Sequence, residues 1–178
     1  MKKIETELLG VYIIEHPIFN DSRGSFTESY NQAKFAELGI SCIFVQDNHS
    51  TSQTNVIRGL HYQVGEGQIK LVRCIKGKII DVVVDIRPNS PTFKKWISIQ
   101  LSSEDNRLVF IPAGLAHGFC VIDGPAEVQY KCSSFYDSQL EKTIRYNDSS
   151  LNIQWPINDP IISDRDRDAP TLEEVCKY

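Results

Sequence analysis

Val56–Gly77, VIRGLHYQVGEGQIKLVRCIKG, is the most informative segment of the chain because it joins two β-strand patterns across a glycine-rich turn. Alternation in the first strand places His61 on one face and Arg58 on the other, and the second strand carries Lys70. We expect the two strands to pair as a β-hairpin. A cluster of basic side chains is costly to bury, so this one indicates a site for an anion or for developing negative charge.

Strand patterns continue on both sides of this stretch. In Lys78–Arg87 the even positions from 80 to 86 are apolar and the odd positions include Asp81 and Asp85, which predicts a strand with two differently solvated faces. Many short strands with almost no helical period predict an all-β antiparallel sandwich or barrel. The other strand patterns are Tyr12–Ile14, Ile43–Asn48, Ile97–Leu101, Leu108–Ile111, His117–Ile122 and Ala126–Cys132, the last three each bounded by Pro, Gly or Asp.

Only short helices are predicted. Asn31–Leu38 has Asn31 as its N-cap and a glycine just beyond its end. Thr171 and Glu174 form a capping box for a short terminal helix. The charged stretch Ser163–Asp168 is typical of a solvated loop. Without internal repeats or linkers, residues 1–178 are predicted to form one domain.

The composition argues against several classes of protein. The chain has 178 residues, 41% hydrophobic and 24% charged, and its net charge of −4 disfavours general binding to nucleic acid or anionic membrane. No run approaches the roughly 18 apolar residues that cross a bilayer, and Glu5 and Glu7 interrupt any signal-peptide core. Five widely spaced cysteines without a CxxC motif argue against disulfides and zinc, and favour a reducing cytoplasm.

The segment Pro112–His117, PAGLAH, lies between two strand patterns and resembles the second motif of the cupin superfamily, which consists of small jelly-roll barrels. In metal-dependent cupins, two histidines and a glutamate from the first motif join this histidine around the ion. Here the first motif supplies His61 alone, because Gln63 replaces the second histidine, and His16 and His49 have no ligand spacing. We therefore expect a barrel without a metal ion.

Two candidate residues also have ordinary structural interpretations. His61 by itself is compatible with a hydrogen-bonded interior histidine. Tyr130 lies on the apolar face of Ala126–Cys132 and is compatible with core packing, its hydroxyl bonded to a neighbour. No spacing ties the charged stretch Ser163–Asp168 to His61.

Nine motifs, in order, resemble those of the dTDP-4-dehydrorhamnose 3,5-epimerase family, over about residues 10–172. They are Phe19–Glu28, Gln46–Ser50, Arg58–Gln63, Lys70–Val72, Asp81–Arg87, Ser90–Phe93, Ile111–Phe119, Tyr130-Lys131 and Trp155-Pro156. The resemblance implies a cupin-like jelly-roll barrel, with its core at about residues 40–135 and a C-terminal segment ending in a short helix. It also implies a homodimer whose N-terminal strands lie at the interface and reach the neighbouring subunit's site.

The activity that the resemblance implies is a cofactor-free epimerisation beside a ketone. The substrate would be dTDP-4-dehydro-6-deoxy-D-glucose and the product dTDP-4-dehydro-L-rhamnose, on the route to dTDP-L-rhamnose and cell-surface polysaccharide such as lipopolysaccharide. Relatives that epimerise only C3 or only C5, or that move the ketone of a related sugar, remain as alternatives. A non-catalytic binding barrel would lack one of His61, Lys70 or Tyr130, and a metal-dependent oxygenase fails on ligand count.

The resemblance also implies residue roles. His61 matches the base and Tyr130 the acid, while Lys70 matches the cation beside the C4 oxygen. Asp166 matches the carboxylate that orients the histidine, with Asp164 and Asp168 as rivals in the same stretch. Arg165 stands where the family often has lysine. The implied substrate-binding positions are Arg23, Glu28, Gln46, Asp47, Asn48, Arg58, Lys70, His117, Glu141 and Arg165.

Overall fold

The structure, a computed structural model, describes residues 1–175 and is built mainly of antiparallel β-strands. The strands are β1 (Lys2–Glu5), β2 (Tyr12–Glu15), β3 (Phe19–Asp21), β4 (Gly24–Phe26), β5 (Gln46–Ser52), β6 (Ile57–Gln63), β7 (Lys70–Asp85), β8 (Trp96–Ser102), β9 (Arg107–Ile111), β10 (Leu115–Cys132) and β11 (Glu141–Thr143). The helices are α1 (Gln32–Glu37), α2 (Asp164–Arg167) and α3 (Leu172–Val175).

The two longest strands, β7 and β10, pair with each other and organise the main sheet, whose order is β1-β2-β9-β7-β10-β6-β11. Different halves of each long strand take different second partners: β9 and β8 pair with β7, and β6 and β5 pair with β10. These pairings form a cupin-like jelly-roll barrel with short peripheral helices, which confirms the predicted fold class. The two strands predicted at His117–Ile122 and Ala126–Cys132 are parts of β10, and β5 begins at Gln46 rather than Ile43.

The predicted hairpin between β6 and β7 is wrong. β7 uses both of its edges, one for β10 and the other for β8 and β9, so no edge remains for β6. β6 pairs instead with β10 on one side and β11 on the other. His61 and Lys70 therefore lie on strands that are separated by β10.

The prediction of two differently solvated faces for Lys78–Arg87 is also wrong, because both faces are buried. Ile79 and Val83 belong to one apolar cluster, whereas Val82 and Val84 belong to a second cluster on the opposite face. The C-terminal part of the chain covers that second face with apolar side chains that include Ile144, Leu151 and Leu172.

A buried carboxylate holds the turn that follows β7. Asp85 is fully buried and accepts hydrogen bonds from the Arg87 guanidinium and from the hydroxyls of Ser90 and Thr92. Burial alone raises the pKa of Asp85, but these hydrogen bonds outweigh it and lower the pKa to about 2. Arg87 also donates to the Leu9 carbonyl, so this turn holds the N-terminal segment against the barrel.

The helix caps lie where the sequence predicts them, but the charged stretch Ser163–Asp168 contains a short helix instead of forming a loop. The Asn31 side chain accepts hydrogen bonds from two backbone N–H groups at the start of α1, and Glu174 accepts from Thr171, as predicted. In Ser163–Asp168, the Ser163 side chain caps α2, and Asp166 on that helix is buried. The prediction of a solvated loop is therefore wrong, because one acidic side chain turns toward the barrel.

Strands β3 and β4 form a separate two-stranded hairpin, here called the N-terminal arm (Phe19–Phe26). Phe19 and Phe26 face each other across the two strands and are 60% and 69% exposed. Arg23, at the tip of the arm, pairs with Asp21 at 2.6 Å. Exposed aromatic side chains on a small hairpin are typical of an interaction surface.

The described part of the chain has no helix long and apolar enough to span a membrane. The cysteines Cys42, Cys74, Cys120 and Cys132 are free thiols, while Cys176 lies outside the described residues.

Candidate active site

A cavity of about 300 Å³ lies between β5, β6, β7, β10, β11 and α2. This volume is at the lower end of the range for small-molecule sites. Nine of the predicted site residues line it, and further lining residues come from the segments beside them. The lining residues are Gln46, Asn48, Ser50, Arg58, His61, Gln68, Lys70, His117, Gly118, Phe119, Tyr130, Tyr136, Glu141 and Arg165.

A histidine–carboxylate pair lies at one wall of the cavity. His61 Nε2 lies 2.8 Å from Asp166 Oδ1, and Asp166 Oδ2 accepts a hydrogen bond of 3.1 Å from the Gly59 N–H. Burial alone raises the pKa of Asp166. The hydrogen bonds from His61 and Gly59 and the charge of a nearby arginine outweigh burial, so the pKa lies below its ordinary value. Asp166 is therefore ionised at neutral pH and holds the imidazole by one nitrogen.

The structure separates Asp166 from its two rivals. Asp164 is on the exposed side of α2, where it pairs with Arg167 at 2.9 Å, and Asp168 is exposed. Only the middle aspartate of the three turns inward against His61. A helix of a single turn points successive side chains in different directions, which is why the sequence left this choice open.

A second histidine–carboxylate pair lies deeper in the barrel. His117 Nε2 lies 2.7 Å from Asp81 Oδ2, and both side chains are buried. The other oxygen of Asp81 has no hydrogen-bond partner within residues 1–175. Asp81 was not among the predicted site residues, because alternation assigned it to a solvated strand face. Its position within the Asp81–Arg87 motif is the signal that could have found it.

Tyr130 lies on β10, opposite Val72 of β7, and faces the cavity. Burial, together with the nearby Cys132 and Glu141, raises the pKa of Tyr130. A hydrogen bond to an asparagine and the charge of an arginine oppose this rise without cancelling it. The phenol therefore keeps its proton at neutral pH and can donate it.

Lys70 begins β7 and lies opposite Cys132 of β10. Burial lowers the pKa of Lys70, although three nearby acidic groups oppose the shift: Cys132, Glu141 and Asp81. Because burial removes much of its hydration, the ammonium group is well placed to stabilise negative charge that appears on a ligand beside it.

Arg58 and His61 both line the cavity, although strict alternation predicts opposite faces. The register between β6 and β10 explains the difference. His61 lies opposite His117, and Arg58 lies opposite Phe119. Between these two pairs, β6 therefore contains one residue more than β10. A bulge of this kind re-aims side chains, and here it brings a base candidate and a guanidinium to one face.

Polar contacts arrange several side chains around the cavity. Arg165 lies 2.6 Å from Glu141, and Gln46 Oε1 accepts a 2.9 Å hydrogen bond from the Tyr136 N–H. Gln68 donates to the Ser134 carbonyl at 2.9 Å. Sequence reasoning missed Gln68, although it lies two residues before Lys70 and alternation would have placed both on one face. Tyr136 follows β10 in an irregular segment, where no pattern pointed to it.

Three predicted binding residues do not line this cavity. Asp47 lies between two lining residues of β5, and strand alternation turns it outward to Lys131, 2.8 Å away. Arg23 is at the tip of the N-terminal arm, with 88% of its side chain exposed. Glu28, just after the arm, pairs with a lysine of α1 at 2.7 Å. Within one chain, these residues are not brought to the histidine pair.

Among residues 1–175, no three His, Cys, Asp or Glu side chains form a group that could hold a metal ion. The two cavity histidines, His61 and His117, each bond to a separate carboxylate.

These features define a class of protein. A cupin-type barrel that surrounds a histidine–aspartate pair, a protonated tyrosine and a half-buried lysine is typical of an enzyme that moves protons without breaking the carbon skeleton of its substrate. Residues 5–174 match the family described as dTDP-4-dehydrorhamnose 3,5-epimerase, and the chain belongs to that family. It is therefore an isomerase.

Individual relatives agree with this assignment. The chain is 50% identical over 168 residues to the dTDP-4-dehydrorhamnose 3,5-epimerase of Shigella flexneri, with 93% of each sequence covered. The crystal structure of the Elizabethkingia anophelis enzyme of the same name superposes with a TM-score of 0.93 at 44% identity, covering 100% of this chain and 99% of that one. A Legionella pneumophila dTDP-6-deoxy-D-glucose-3,5-epimerase in complex with dTDP-4-keto-L-rhamnose also gives 0.93 at 44% identity, covering 97% and 93%.

Proposed function

We propose that this enzyme inverts C3 and C5 of dTDP-4-dehydro-6-deoxy-D-glucose to give dTDP-4-dehydro-L-rhamnose. The observation that carries the proposal is that His61, Lys70 and Tyr130 line one cavity, with Asp166 bonded behind the histidine. The C4 carbonyl of the substrate acidifies the hydrogens on C3 and C5, so removal and return of a proton needs only a base, an acid and a group that stabilises an enolate.

The base in this proposal is neutral His61. Its Nε2 is bonded to Asp166, while its Nδ1 has no hydrogen-bond partner among the described residues and is the nitrogen free to take the proton. Once the proton is transferred, the imidazolium is stabilised by the ionised carboxylate. A positioned base of this kind contributes roughly 10² to 10⁴ to the rate.

Lys70 and Tyr130 complete the step. The electron pair of the broken C–H bond moves onto the C4 oxygen, where the Lys70 ammonium stabilises the enolate. Tyr130 then gives its proton to the same carbon from the opposite side of the ring, which inverts that centre. The resulting phenolate and imidazolium are restored by proton exchange with water, and the cycle repeats at the second carbon. No cofactor takes part.

The nucleotide end of the substrate would be held by the remaining polar residues. Planar guanidinium groups bind diphosphates through paired hydrogen bonds, which suits Arg58 and Arg165. Gln46 and Asn48 on β5 would contact the nucleotide. His117 on β10 and Glu141 on β11 would also contact the ligand.

We also propose a homodimer in which the N-terminal arm of one subunit reaches the cavity of the other. The exposed Phe19 and Phe26 support this, because apolar side chains on a protruding hairpin gain by being covered. The exposed Arg23 and nearby Glu28 would then serve the neighbouring site.

The remaining proposals concern the setting of the enzyme. We propose that residues 1–178 form one domain, since β7 contributes side chains to all three apolar clusters. A cytoplasmic location fits the free thiols, and the product would supply dTDP-L-rhamnose for cell-surface polysaccharide such as lipopolysaccharide.

Proton exchange tests the reaction directly. The protein is incubated with dTDP-4-dehydro-6-deoxy-D-glucose in D₂O, and C3 and C5 are followed by NMR. Deuterium at both carbons is expected. Deuterium at one carbon identifies a single-site epimerase, transfer of the ketone to C3 identifies a ketoisomerase, and absence of exchange contradicts the proposal.

A further inference from the structure

One amide side chain of the cavity wall has an oxygen without a partner. Three amides line the cavity, and two of them use their oxygens within the chain: Gln46 Oε1 accepts from the Tyr136 N–H, and Asn48 Oδ1 accepts from Gln46 Nε2 at 3.0 Å. The third is Gln68, whose Oε1 has no hydrogen-bond partner among residues 1–175. An amide oxygen has two lone pairs, so Gln68 offers an acceptor to a bound ligand.

The rest of this side chain is held in place. Gln68 Nε2 donates a 2.9 Å hydrogen bond to the Ser134 carbonyl, which fixes the orientation of the amide. The next residue, Ile69, exchanges two hydrogen bonds with Ser133: its N–H donates to Ser133 Oγ at 2.9 Å, and its carbonyl accepts from the Ser133 N–H at 3.0 Å. An acceptor that is already fixed loses little conformational freedom when a ligand binds, so more of its hydrogen bond contributes to affinity.

The position of Gln68 indicates which part of the ligand it contacts. Lys70 follows two residues later and lines the same cavity, and two residues of extended chain span at most roughly 7 Å. In the proposed reaction, Lys70 lies beside the C4 oxygen of the sugar. An acceptor this close to Lys70 contacts the sugar rather than the phosphates, because a phosphate oxygen is itself an acceptor and would repel the amide oxygen.

The chemistry of the reaction selects one hydroxyl of the sugar. The ring of the 4-keto-6-deoxy sugar has hydroxyls only on C2 and C3, since C1 carries the diphosphate, C4 is the ketone and C5 carries the methyl group. The C3 hydroxyl changes direction when its carbon is inverted, whereas C2 keeps its configuration throughout. A fixed acceptor can therefore stay bonded to the C2 hydroxyl in the substrate, in the enolates and in the product.

We propose that Gln68 Oε1 accepts a hydrogen bond from the C2 hydroxyl of the sugar, so that Gln68 positions the substrate and makes the enzyme select sugars that carry this hydroxyl. This inference rests on the proposed function. It assigns a role in specificity to a residue between β6 and β7 that lies outside all nine sequence motifs.

A comparison of two substrates tests the inference. The values of kcat and KM are measured by NMR for dTDP-4-dehydro-6-deoxy-D-glucose, here the parent sugar, and for its analogue without the C2 hydroxyl. We expect the wild-type kcat/KM to be roughly tenfold lower for the 2-deoxy analogue, the effect of leaving a polar group unpaired. Gln68→Leu has no acceptor, so its kcat/KM should fall for the parent sugar, change little for the analogue, and become similar for both.

Two further variants make the test specific. Gln68→Glu retains an acceptor oxygen and should keep the preference for the parent sugar, although loss of the donor to Ser134 lowers kcat/KM for both sugars. Gln100→Leu is the matched control, because Gln100 is exposed on β8, which does not border the cavity. This control should convert both sugars as the wild type does.

Each contrary result has a separate meaning. Equal kcat/KM for the two sugars in the wild type overturns the inference, and so does a Gln68→Glu protein without the preference. An equal loss with both sugars in Gln68→Leu also overturns it and identifies Gln68 as a structural residue of the cavity rim. A wild-type protein that exchanges protons of neither sugar in D₂O contradicts the proposed function itself, so the two failures are distinguishable.

Discussion

The exchange of Asp166 for asparagine is the most direct probe of the histidine pair. Both carboxylate oxygens of Asp166 are acceptors, one for His61 Nε2 at 2.8 Å and the other for the Gly59 N–H at 3.1 Å. An asparagine of the same shape has only one acceptor oxygen. In either orientation, its NH₂ group meets a donor or forces the imidazole into the wrong tautomer.

The expected loss follows from these contacts. Removing a hydrogen bond to a charged group costs about 1.5 to 3 kcal/mol, which corresponds to a factor of roughly 10 to 150 in rate. A wrong tautomer adds to this, since the equivalent change in a serine protease triad costs about 10⁴. We therefore expect Asp166→Asn to lower the exchange rate at C3 and C5 by roughly 10² to 10⁴.

The assay is the initial rate of deuterium uptake at both carbons, measured with thermal unfolding to confirm that the variant is folded. Asp164→Asn is the matched control, because Asp164 lies on the same helix but is 88% exposed and its ion pair contributes little. A folded Asp166→Asn protein that keeps more than about a tenth of the wild-type rate would contradict the role of Asp166 in holding His61.

The remaining predictions concern the acid, the dimer and stability. His61→Asn should abolish deuterium exchange at both carbons. Tyr130→Phe should impair inversion more than proton removal, and an NMR result in which the two steps are lost equally contradicts the donor role of Tyr130. If Arg23 acts in the neighbouring subunit, mixing inactive Arg23→Ala and His61→Asn proteins 1:1 should restore part of the activity. Half of the dimers are then mixed, and each mixed dimer has one intact site, so about a quarter of the wild-type activity is expected. No recovery after subunit exchange means that Arg23 acts within its own chain. The pKa of Asp85 is about 2 in the folded protein, whereas the ordinary value for an aspartate is 3.8. The ionised carboxylate therefore stabilises the fold above pH 4, and this stabilisation is lost as the pH falls toward 2. Asp85→Asn should therefore lower the free energy of unfolding by about 2 kcal/mol at pH 7. In denaturant titrations, the difference in unfolding free energy between wild type and variant should narrow below pH 4. A stability difference that does not depend on pH contradicts this prediction.

Strand positions could be predicted because alternation is a local property. The apolar positions of β8 and β9 and the caps of α1 and α3 are visible in a few consecutive residues, and the structure has them where they were predicted. Among the site residues, Gln46 and Asn48 lie at the cavity as the motifs implied, whereas Asp47 between them faces outward for the same reason of alternation.

Strand partners could not be predicted in the same way. The turn after Gln63 is compatible with a hairpin, but β7 pairs from Lys70 to Asp85 with β10, a strand far along the chain, and its other edge is taken by β8 and β9. The second face of β7 reads as solvated in the sequence, and it is buried because a segment from beyond residue 140 packs against it. Neither fact is encoded near the strand that it affects.

Sequence patterns were enough to predict the all-β class, the helix caps, the family motifs and the kinds of side chain available for proton transfer. The folded barrel was needed to separate Asp166 from the other aspartates near His61, to pair Asp81 with His117, and to show that a bulge turns Arg58 toward the same cavity. This division arises because local conformation depends on neighbours in the sequence. The partners of a buried charge are set by whichever distant segments the closed barrel brings within hydrogen-bonding distance.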